Sequence, residues 1–133
     1  MMAAVRNKDS KAELALRRAL HARGLRYRLH ASDVLGRPDI VIRKYRLAVF
    51  VDGDMWHGNP AAWTARGLST MEAMFPTRTG WWVAKIRQTQ ARDSVVNVSL
   101  ADIGWTVVRL WESAILADVG AAADRVASSL HSP

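Results

Sequence analysis

The run 47–51 restricts the fold most, because it holds five apolar residues and no polar one. A strand with one face in water alternates apolar and polar side chains, whereas a central strand is apolar on both faces. We therefore predict a strand inside a sheet. A shorter apolar run, 40–42, precedes it, and the turn around Arg43 and Lys44 predicts that the two runs form a hairpin.

The other segments carry helical or strand periodicity of their own. Ser10 with Glu13 three positions later has the pattern of a capping box, and Gly24 ends that helix. Periodicity and turn residues predict, in chain order, a helix over 10–24, a strand over 25–30, a helix over 80–104, a strand over 105–111 and a helix over 122–130. With the hairpin, this order predicts a single α/β domain over residues 1–133, with a central mixed sheet flanked by helices.

Positive charge is concentrated in the N-terminal part of the chain. The formal net charge is +7, and eight of the lysines and arginines lie within the first 28 residues. This predicts a polyanionic partner, nucleic acid before an anionic membrane surface, with a merely basic protein as the alternative. The absence of cysteine excludes disulfides and thiolate metal sites. No apolar stretch is long enough to span a membrane, so we expect a cytoplasmic protein.

Three acidic residues stand where a metal ion could bind. Asp39 opens the first strand of the hairpin, Asp52 ends the second, and Glu13 lies on the first helix, away from its leucines. Hairpin pairing brings the start of one strand near the end of the other, and a carboxylate pair with a backbone carbonyl suits Mg²⁺. Each residue also has an ordinary alternative, a turn carboxylate for Asp39 and the capping box for Glu13.

A long segment without periodicity follows the hairpin. Residues 53–79 would form a loop, and a loop of that length in a compact domain is usually functional. His57 in this loop could activate water, protonate a leaving oxygen or bind a metal ion, or it could be an ordinary exposed histidine. We expect no special role for the other histidines, His21, His30 and His131.

Tryptophans accompany the basic residues in and after this loop. Trp56 lies shortly after the second strand, and Trp81 and Trp82 stand near Arg78 and Lys85 at the start of the long helix. Core packing is the usual place of tryptophan, but adjacent helical residues do not face the same core. A tryptophan outside the core could stack on bases or wedge between base steps.

The stretches 1–30, 35–58 and 76–113, which include GRPD, FVDGDMWHG and RLWES, together resemble the very short patch repair (Vsr) endonucleases. These are bacterial enzymes that nick DNA beside T:G mismatches. The resemblance runs in register from Met1 to about Ser113. It implies a restriction-endonuclease-like fold of three layers, related to the PD-(D/E)xK nucleases, and a dependence on Mg²⁺, with two ions possible.

The resemblance also implies catalytic roles for individual residues. Asp39 and the backbone carbonyl of Val51 would bind the metal ion, and Asp52 would orient water or phosphate. His57 would be the general base or water activator. Glu13 would complete the site from the first helix.

For DNA binding, the resemblance implies wedges that enter beside the mismatch. On the major-groove side these would be Met55, Trp56 and Trp82, and from the opposite groove Met2. Contacts around the mismatch are implied on the long helix, for Lys85, Thr89, Arg92 and Asp93. Thr89 replaces an asparagine that is common in the family.

The chain departs from the family where many relatives hold a structural Zn²⁺ with cysteines and a histidine. The corresponding positions are Asp54, Asn59 and Ser113, so we expect no such zinc, and either another means of ordering 53–79 or ordering of this segment only on DNA. The expected function is Mg²⁺-dependent nicking of one strand of double-stranded DNA beside a T:G mismatch, by a monomer, with repair-pathway proteins as further partners. Two alternatives are a nicking nuclease for another mismatch or modified DNA, and a DNA-binding module without activity.

Overall fold

A computed structural model of the chain describes residues 9–130. Within this range one sheet has the strand order β1-β2-β3-β4, with β1 at Arg28–Leu29, β2 at Ile40–Ile42, β3 at Leu47–Asp52 and β4 at Thr106–Trp111. The first three strands pair antiparallel, whereas β3 and β4 pair parallel. The predicted mixed sheet and the central position of β3 are therefore confirmed. The predictions for Met2 and His131 lie outside the described residues.

Helices cover both faces of the sheet. In the described part of the chain they are α1 at Lys11–Ala22, α2 at Ala61–Thr64, α3 at Thr79–Asp102, α4 at Glu112–Ala117 and α5 at Val119–Ser128. Leu47 and Val49 of β3 pack among residues of α1, α4 and α5, whereas Ala48 and Phe50 pack with Leu100 of α3. This explains why β3 is apolar on both faces, and the three layers agree with a restriction-endonuclease-like fold. None of the described helices is long and apolar enough to cross a membrane.

Two segments differ from the prediction made from sequence. The strand expected over 25–30 is reduced to Arg28–Leu29, because Leu25 and Tyr27 pack against the core next to α1 and only the end of the segment reaches β2. The helix α4 was not predicted. It begins at Glu112 directly after β4, with no turn residue between them, and buries Ile115 in the core.

The segment 53–79 has a hydrophobic core of its own. Besides α2 it contains a 3₁₀ turn, Glu72–Met74. Met71 and Phe75 are buried against Ile86 of α3, and further apolar side chains pack on them: Met55, Trp63, Met74, Trp82 and Val83. We call this group the loop cluster. The long aperiodic segment is thus attached to α3 through apolar packing.

A set of hydrogen bonds joins the beginning of this segment to the end of β4. The Asp54 carboxylate accepts bonds from the Asn59 side chain at 2.7 Å, from the Ser113 backbone N–H at 3.0 Å and from the Ser113 hydroxyl at 2.5 Å. We call these three residues the clasp. They are the positions that, by the resemblance, correspond to the zinc site of many relatives, and here they bond directly to one another.

Candidate active site

A cleft of about 760 Å³ opens at the end of β3, between α1 and α3. Its position follows from the sheet register. Ile40 pairs with Val49, so Asp39, immediately before β2, lies beside the last residues of β3. Many of the side chains predicted from sequence to act in catalysis or on DNA line this cleft: Glu13, Asp39, Val51, Asp52, Trp56, His57, Thr89, Arg92 and Asp93.

Asp39 is held against the backbone of β3. Its Oδ2 accepts a hydrogen bond from the Val51 N–H at 2.7 Å. Burial raises the pKa of Asp39 to about 7, and although the Val51 bond opposes this rise, the negative charges of Glu13 and Asp52 add to it. Within the described residues, no arginine donates a hydrogen bond to Asp39. A largely buried carboxylate that accepts no hydrogen bond from an arginine favours the binding of a cation, because the cation would compensate its charge.

Glu13 lines one side of the cleft and binds His30 behind it. Glu13 is 3% exposed, and its Oε2 accepts from Arg17 Nη2 at 2.7 Å and lies 3.0 Å from His30 Nε2. The predicted capping box is therefore half formed. The Glu13 N–H donates to the Ser10 hydroxyl, while the Glu13 carboxylate binds Arg17 and His30.

His30 was expected to have no special role, and the structure places it beside Glu13 and Asp39. Its Nε2 lies 4.0 Å from Asp39 Oδ1, and its backbone N–H donates to the Asp39 carbonyl at 3.1 Å. The strand order contained the signal. Leu29 pairs with Ile40, so His30, which directly follows β1, lies opposite Asp39, which directly precedes β2.

The other side of the cleft joins His57 to two carboxylates. His57 Nδ1 lies 2.5 Å from Asp93 Oδ2 and 3.7 Å from Asp52 Oδ1. Arg109 Nη1 donates to Asp52 Oδ1 and Oδ2 at 3.0 and 3.2 Å and lies 3.4 Å from Asp93 Oδ1. Burial raises the pKa of Asp52, against the opposing positive charges of His57 and Arg109.

Arg109 and Arg17 were not singled out from the sequence. Arg109 stands on the apolar strand β4, where we expected packing residues, and Arg17 was counted only among the basic residues near the N-terminus. A charged residue inside an otherwise apolar strand is a signal that a buried partner of opposite charge exists. That signal was present at Arg109, between Val108 and Leu110.

Among residues 9–130, two groups of three side chains offer potential metal ligands within 4.8 Å of one another: Asp9, Glu13 and His30, and Asp52, His57 and Asp93. Each group already contains an arginine ion pair, with Arg17 in the first and Arg109 in the second. Asp39 lies between the two groups, with the Val51 backbone beside it. Oxygen donors of this kind suit Mg²⁺.

The tryptophans form a connected surface next to the cleft. Trp82 packs in the loop cluster, stacks on Phe75 with ring centroids 5.2 Å apart, and contacts Trp56 at 5.6 Å. Trp81 meets Trp82 edge-on at 4.9 Å and is 43% exposed. One of the pair therefore packs in the interior and its neighbour faces outward, as expected from their adjacency.

Cationic side chains surround the exposed Trp81 ring. Arg78 lies 4.8 Å and Lys85 5.8 Å from its centroid. Met55 and Trp82, predicted as wedges, are partly buried in the loop cluster rather than lining the cleft, and Lys85 lies beside Trp81. Thr89 lines the cleft, but its hydroxyl donates to the Lys85 carbonyl of its own helix at 3.1 Å.

Comparison with known proteins supplies a family for this site. Residues 1–63 match the family model described as DNA mismatch endonuclease Vsr. The chain is 36% identical over 126 residues to the type II nicking enzyme V.NmeDIP of Neisseria meningitidis serogroup C, covering 95% of this chain and 80% of that protein. It is 40% identical over 136 residues to the type II nicking enzyme V.NaeI of Lentzea aerocolonigenes, covering 98% and 74%. It is also 32% identical over 114 residues to the DNA mismatch endonuclease Vsr of Escherichia coli K12, covering 86% and 68%.

Proposed function

We propose, since the chain belongs to the Vsr family of DNA mismatch endonucleases, that it nicks one strand of duplex DNA beside a T:G mismatch in a Mg²⁺-dependent reaction. We place the activity in the bacterial cytoplasm, at the nucleoid, and assign it to a monomer. The observation that carries the proposal is one cleft in which the buried Asp39 lies beside a histidine–carboxylate pair, His57 and Asp93.

Asp39 and the Val51 carbonyl are the proposed ligands of the metal ion. The donors fit, because the Asp39 carboxylate is buried and bonds to the Val51 backbone instead of to an arginine. When bound, Mg²⁺ supplies positive charge to the phosphate that is cleaved. Glu13 and His30 support Asp39 from the other side, since Glu13 holds the imidazole near Asp39 Oδ1.

His57 is the proposed general base. Asp93 accepts from Nδ1, so in the neutral imidazole Nε2 is the nitrogen that takes a proton. The oxygen of a water molecule forms the new bond to phosphorus, and its proton passes to Nε2. The bond from phosphorus to one sugar oxygen breaks, and that oxygen keeps the electron pair and takes a proton from solvent. Asp52 orients the water or the phosphate. Asp93, predicted from sequence as a DNA contact, is instead proposed to hold His57.

We assign the selection of a mismatch to the connected tryptophans next to the cleft, Trp56, Trp81 and Trp82. A mismatched step costs less free energy to unstack than a paired one, so side chains that wedge beside it favour it. Trp56 and Trp81 present rings at or near the cleft, and Arg78, Lys85 and Arg92 provide positive charge for the phosphates. Met55 and Trp82 are partly buried, so their insertion would require the loop cluster to open on DNA.

A second candidate function changes the substrate and keeps the chemistry. Several of the relatives are described as type II nicking enzymes, which favours nicking at a mismatch or modified base in another sequence context. Thr89 also supports this candidate. It lies on α3, the helix proposed to contact DNA around the mismatch, and replaces an asparagine that is common in the family.

The test is a nicking assay on end-labelled duplexes that carry T:A, T:G and each other mismatch in several flanking contexts, with Mg²⁺ or EDTA. We expect Mg²⁺-dependent cutting of one strand beside T:G. Asp39→Asn should abolish cutting and leave the Kd for DNA within about threefold, because it removes one ligand from the site. Asp33→Asn, an exposed carboxylate paired with Arg43 outside the cleft, is the matched control and should cut normally.

Other outcomes divide the candidates. Cutting beside another mismatch would keep the mechanism and support the second candidate. Equal loss of binding and cutting in Asp39→Asn would refute the metal role of Asp39. Binding of every duplex without cutting any of them would refute the endonuclease proposal in favour of a binding module.

A further inference from the structure

Two carboxylates compete for the same ring nitrogen of His57. Nδ1 lies 2.5 Å from Asp93 Oδ2 and 3.7 Å from Asp52 Oδ1, and both carboxylates line the cleft. Asp52 is the more buried of the two, with its side chain 8% exposed against 21% for Asp93. Burial alone does not direct His57 toward Asp93, because Asp52 is the more buried acceptor. The direction of the imidazole therefore depends on what else binds these carboxylates.

Arg109 binds them unequally. Its Nη1 donates to both oxygens of Asp52, at 3.0 and 3.2 Å, whereas it approaches a single oxygen of Asp93, at 3.4 Å. The Asp93 oxygen that it leaves aside, Oδ2, is the one that faces His57. A carboxylate whose two oxygens both face a guanidinium has more of its negative charge neutralised, and it attracts a further donor less than a carboxylate with one oxygen left aside.

The guanidinium of Arg109 is itself fixed by two further contacts. Its Nε donates to the Asn97 side chain of α3 at 2.7 Å, and its plane lies 4.1 Å from the centroid of the Phe50 ring on β3. Phe50 is the register partner of Arg109 in the parallel β3–β4 pair, and Asp52 lies two residues further along β3. Arg109 thus reaches along the strands toward the cleft, and contacts with Asn97 and Phe50 hold its guanidinium in place.

We infer that Arg109 is a positioning residue which occupies Asp52 and so assigns His57 to Asp93. This inference rests on the proposed function, in which Nε2 of His57 takes the proton from water. A His57 that turned to Asp52 would point Nε2 in a different direction, and the proton transfer would be lost while the DNA surface stayed intact.

The spectroscopic test follows the Nδ1–H resonance of His57 by NMR in protein labelled with ¹⁵N at histidine, at one fixed pH. His57→Gln identifies the resonance by its loss. In the wild-type background we expect Asp93→Ala to remove the resonance and Asp52→Ala to leave it. In the Arg109→Met background the dependence should reverse, so that Asp52→Ala removes it. Arg109→Gln, which also removes the charge, serves as the second background if Arg109→Met does not fold.

The kinetic test separates positioning from binding. Arg109→Met should lower kcat by roughly 10- to 100-fold, less than loss of the general base itself, with KM and the Kd for DNA nearly unchanged. Arg109→Lys should recover part of the loss. Arg43→Met is the matched control, because Arg43 pairs with the exposed Asp33 outside the cleft, and it should cut like the wild type.

An unchanged dependence on Asp93 in both Arg109 backgrounds would overturn the inference, even if kcat fell. A loss confined to KM would overturn it as well, since that result assigns Arg109 to DNA binding. The NMR readout needs no substrate. If the wild-type protein cut no duplex, the proposed function would fail while the role of Arg109 toward His57 would still be decided.

Discussion

The two halves of the cleft use similar side chains in different ways. In the N-terminal half Glu13 lines the cleft and binds Arg17 and His30, whereas the C-terminal half consists of four residues that line the cleft, Asp52, His57, Asp93 and Arg109. In the first half one oxygen, Glu13 Oε2, serves both the arginine and the histidine, and Asp39 Oδ1 lies 4.0 Å from the same imidazole. In the second half the histidine lies 2.5 Å from Asp93 Oδ2, whereas Arg109 approaches the other oxygen, Oδ1, and Asp52 Oδ1 lies 3.7 Å from the imidazole.

Under the proposed function, this difference assigns support of Asp39 to the first half and proton transfer to the second. The N-terminal half is built on α1 and on strands β1 and β2, and its Glu13 is almost fully buried. The C-terminal half depends on a segment that is attached by the loop cluster and the clasp. A general base must change protonation and adjust to substrate. This requirement suits His57, on the segment 53–79, better than His30, which is held by Glu13 of α1.

The largest expected effect compares the two histidines. His57→Gln should lower kcat by about 10² to 10⁴, the range for loss of a general base, whereas His30→Gln should lower it by roughly tenfold or less. Both variants should bind DNA with nearly wild-type Kd. Single-turnover nicking measures the two rates. Equal losses in both variants would break the distinction between the two halves.

An intermediate effect concerns Asp39, which lies between the two halves. Its charge lowers the free energy of unfolding. Its pKa is raised from 3.8 to about 7 in the folded protein, so the folded state binds more protons than the unfolded state between these values. Stability should therefore fall as pH rises from about 4 to 7. Asp39→Asn keeps an acceptor for the Val51 N–H and removes the buried charge, so it should gain roughly 1–3 kcal/mol at pH 8.

Urea unfolding without metal at pH 5 and pH 8 measures this gain. Asp33→Asn is again the matched control, and its difference from the wild type should not change between these two pH values. A variant Asp39→Asn that was no more stable than the wild type at pH 8 would contradict the buried charge as the source of the cost.

The smallest effect concerns the attachment of the C-terminal half. Asp54→Ala removes the shared acceptor of the clasp, and we expect a loss of about 1–2 kcal/mol in the free energy of unfolding. Hydrogen exchange should increase in residues 53–60 and remain unchanged in α1. Leu116→Ala, an exposed residue of α4, is the control for a surface change nearby. Faster exchange in α1 as well would show that the two halves are not independent.

Much of the fold could be predicted from particular residues. The apolar run 47–51 identified a central strand, because only a strand covered on both faces keeps five apolar residues in succession. Ser10 and Gly24 placed the first helix within two residues of its ends. The helix α4 was missed because no turn residue separates it from β4.

The sequence by itself determined that Glu13, Asp39, Asp52 and His57 were candidates, since carboxylates at strand ends and a histidine after them are visible in the order of residues. The tertiary structure decided their partners. His30 lies beside Asp39 through the strand register, and Asp93 and Arg109 meet His57 and Asp52 from α3 and β4, 36 residues from His57 and 57 from Asp52 along the chain. The physical reason is that pairing among buried charges depends on distances of a few ångströms between elements, which periodicity along one element does not contain.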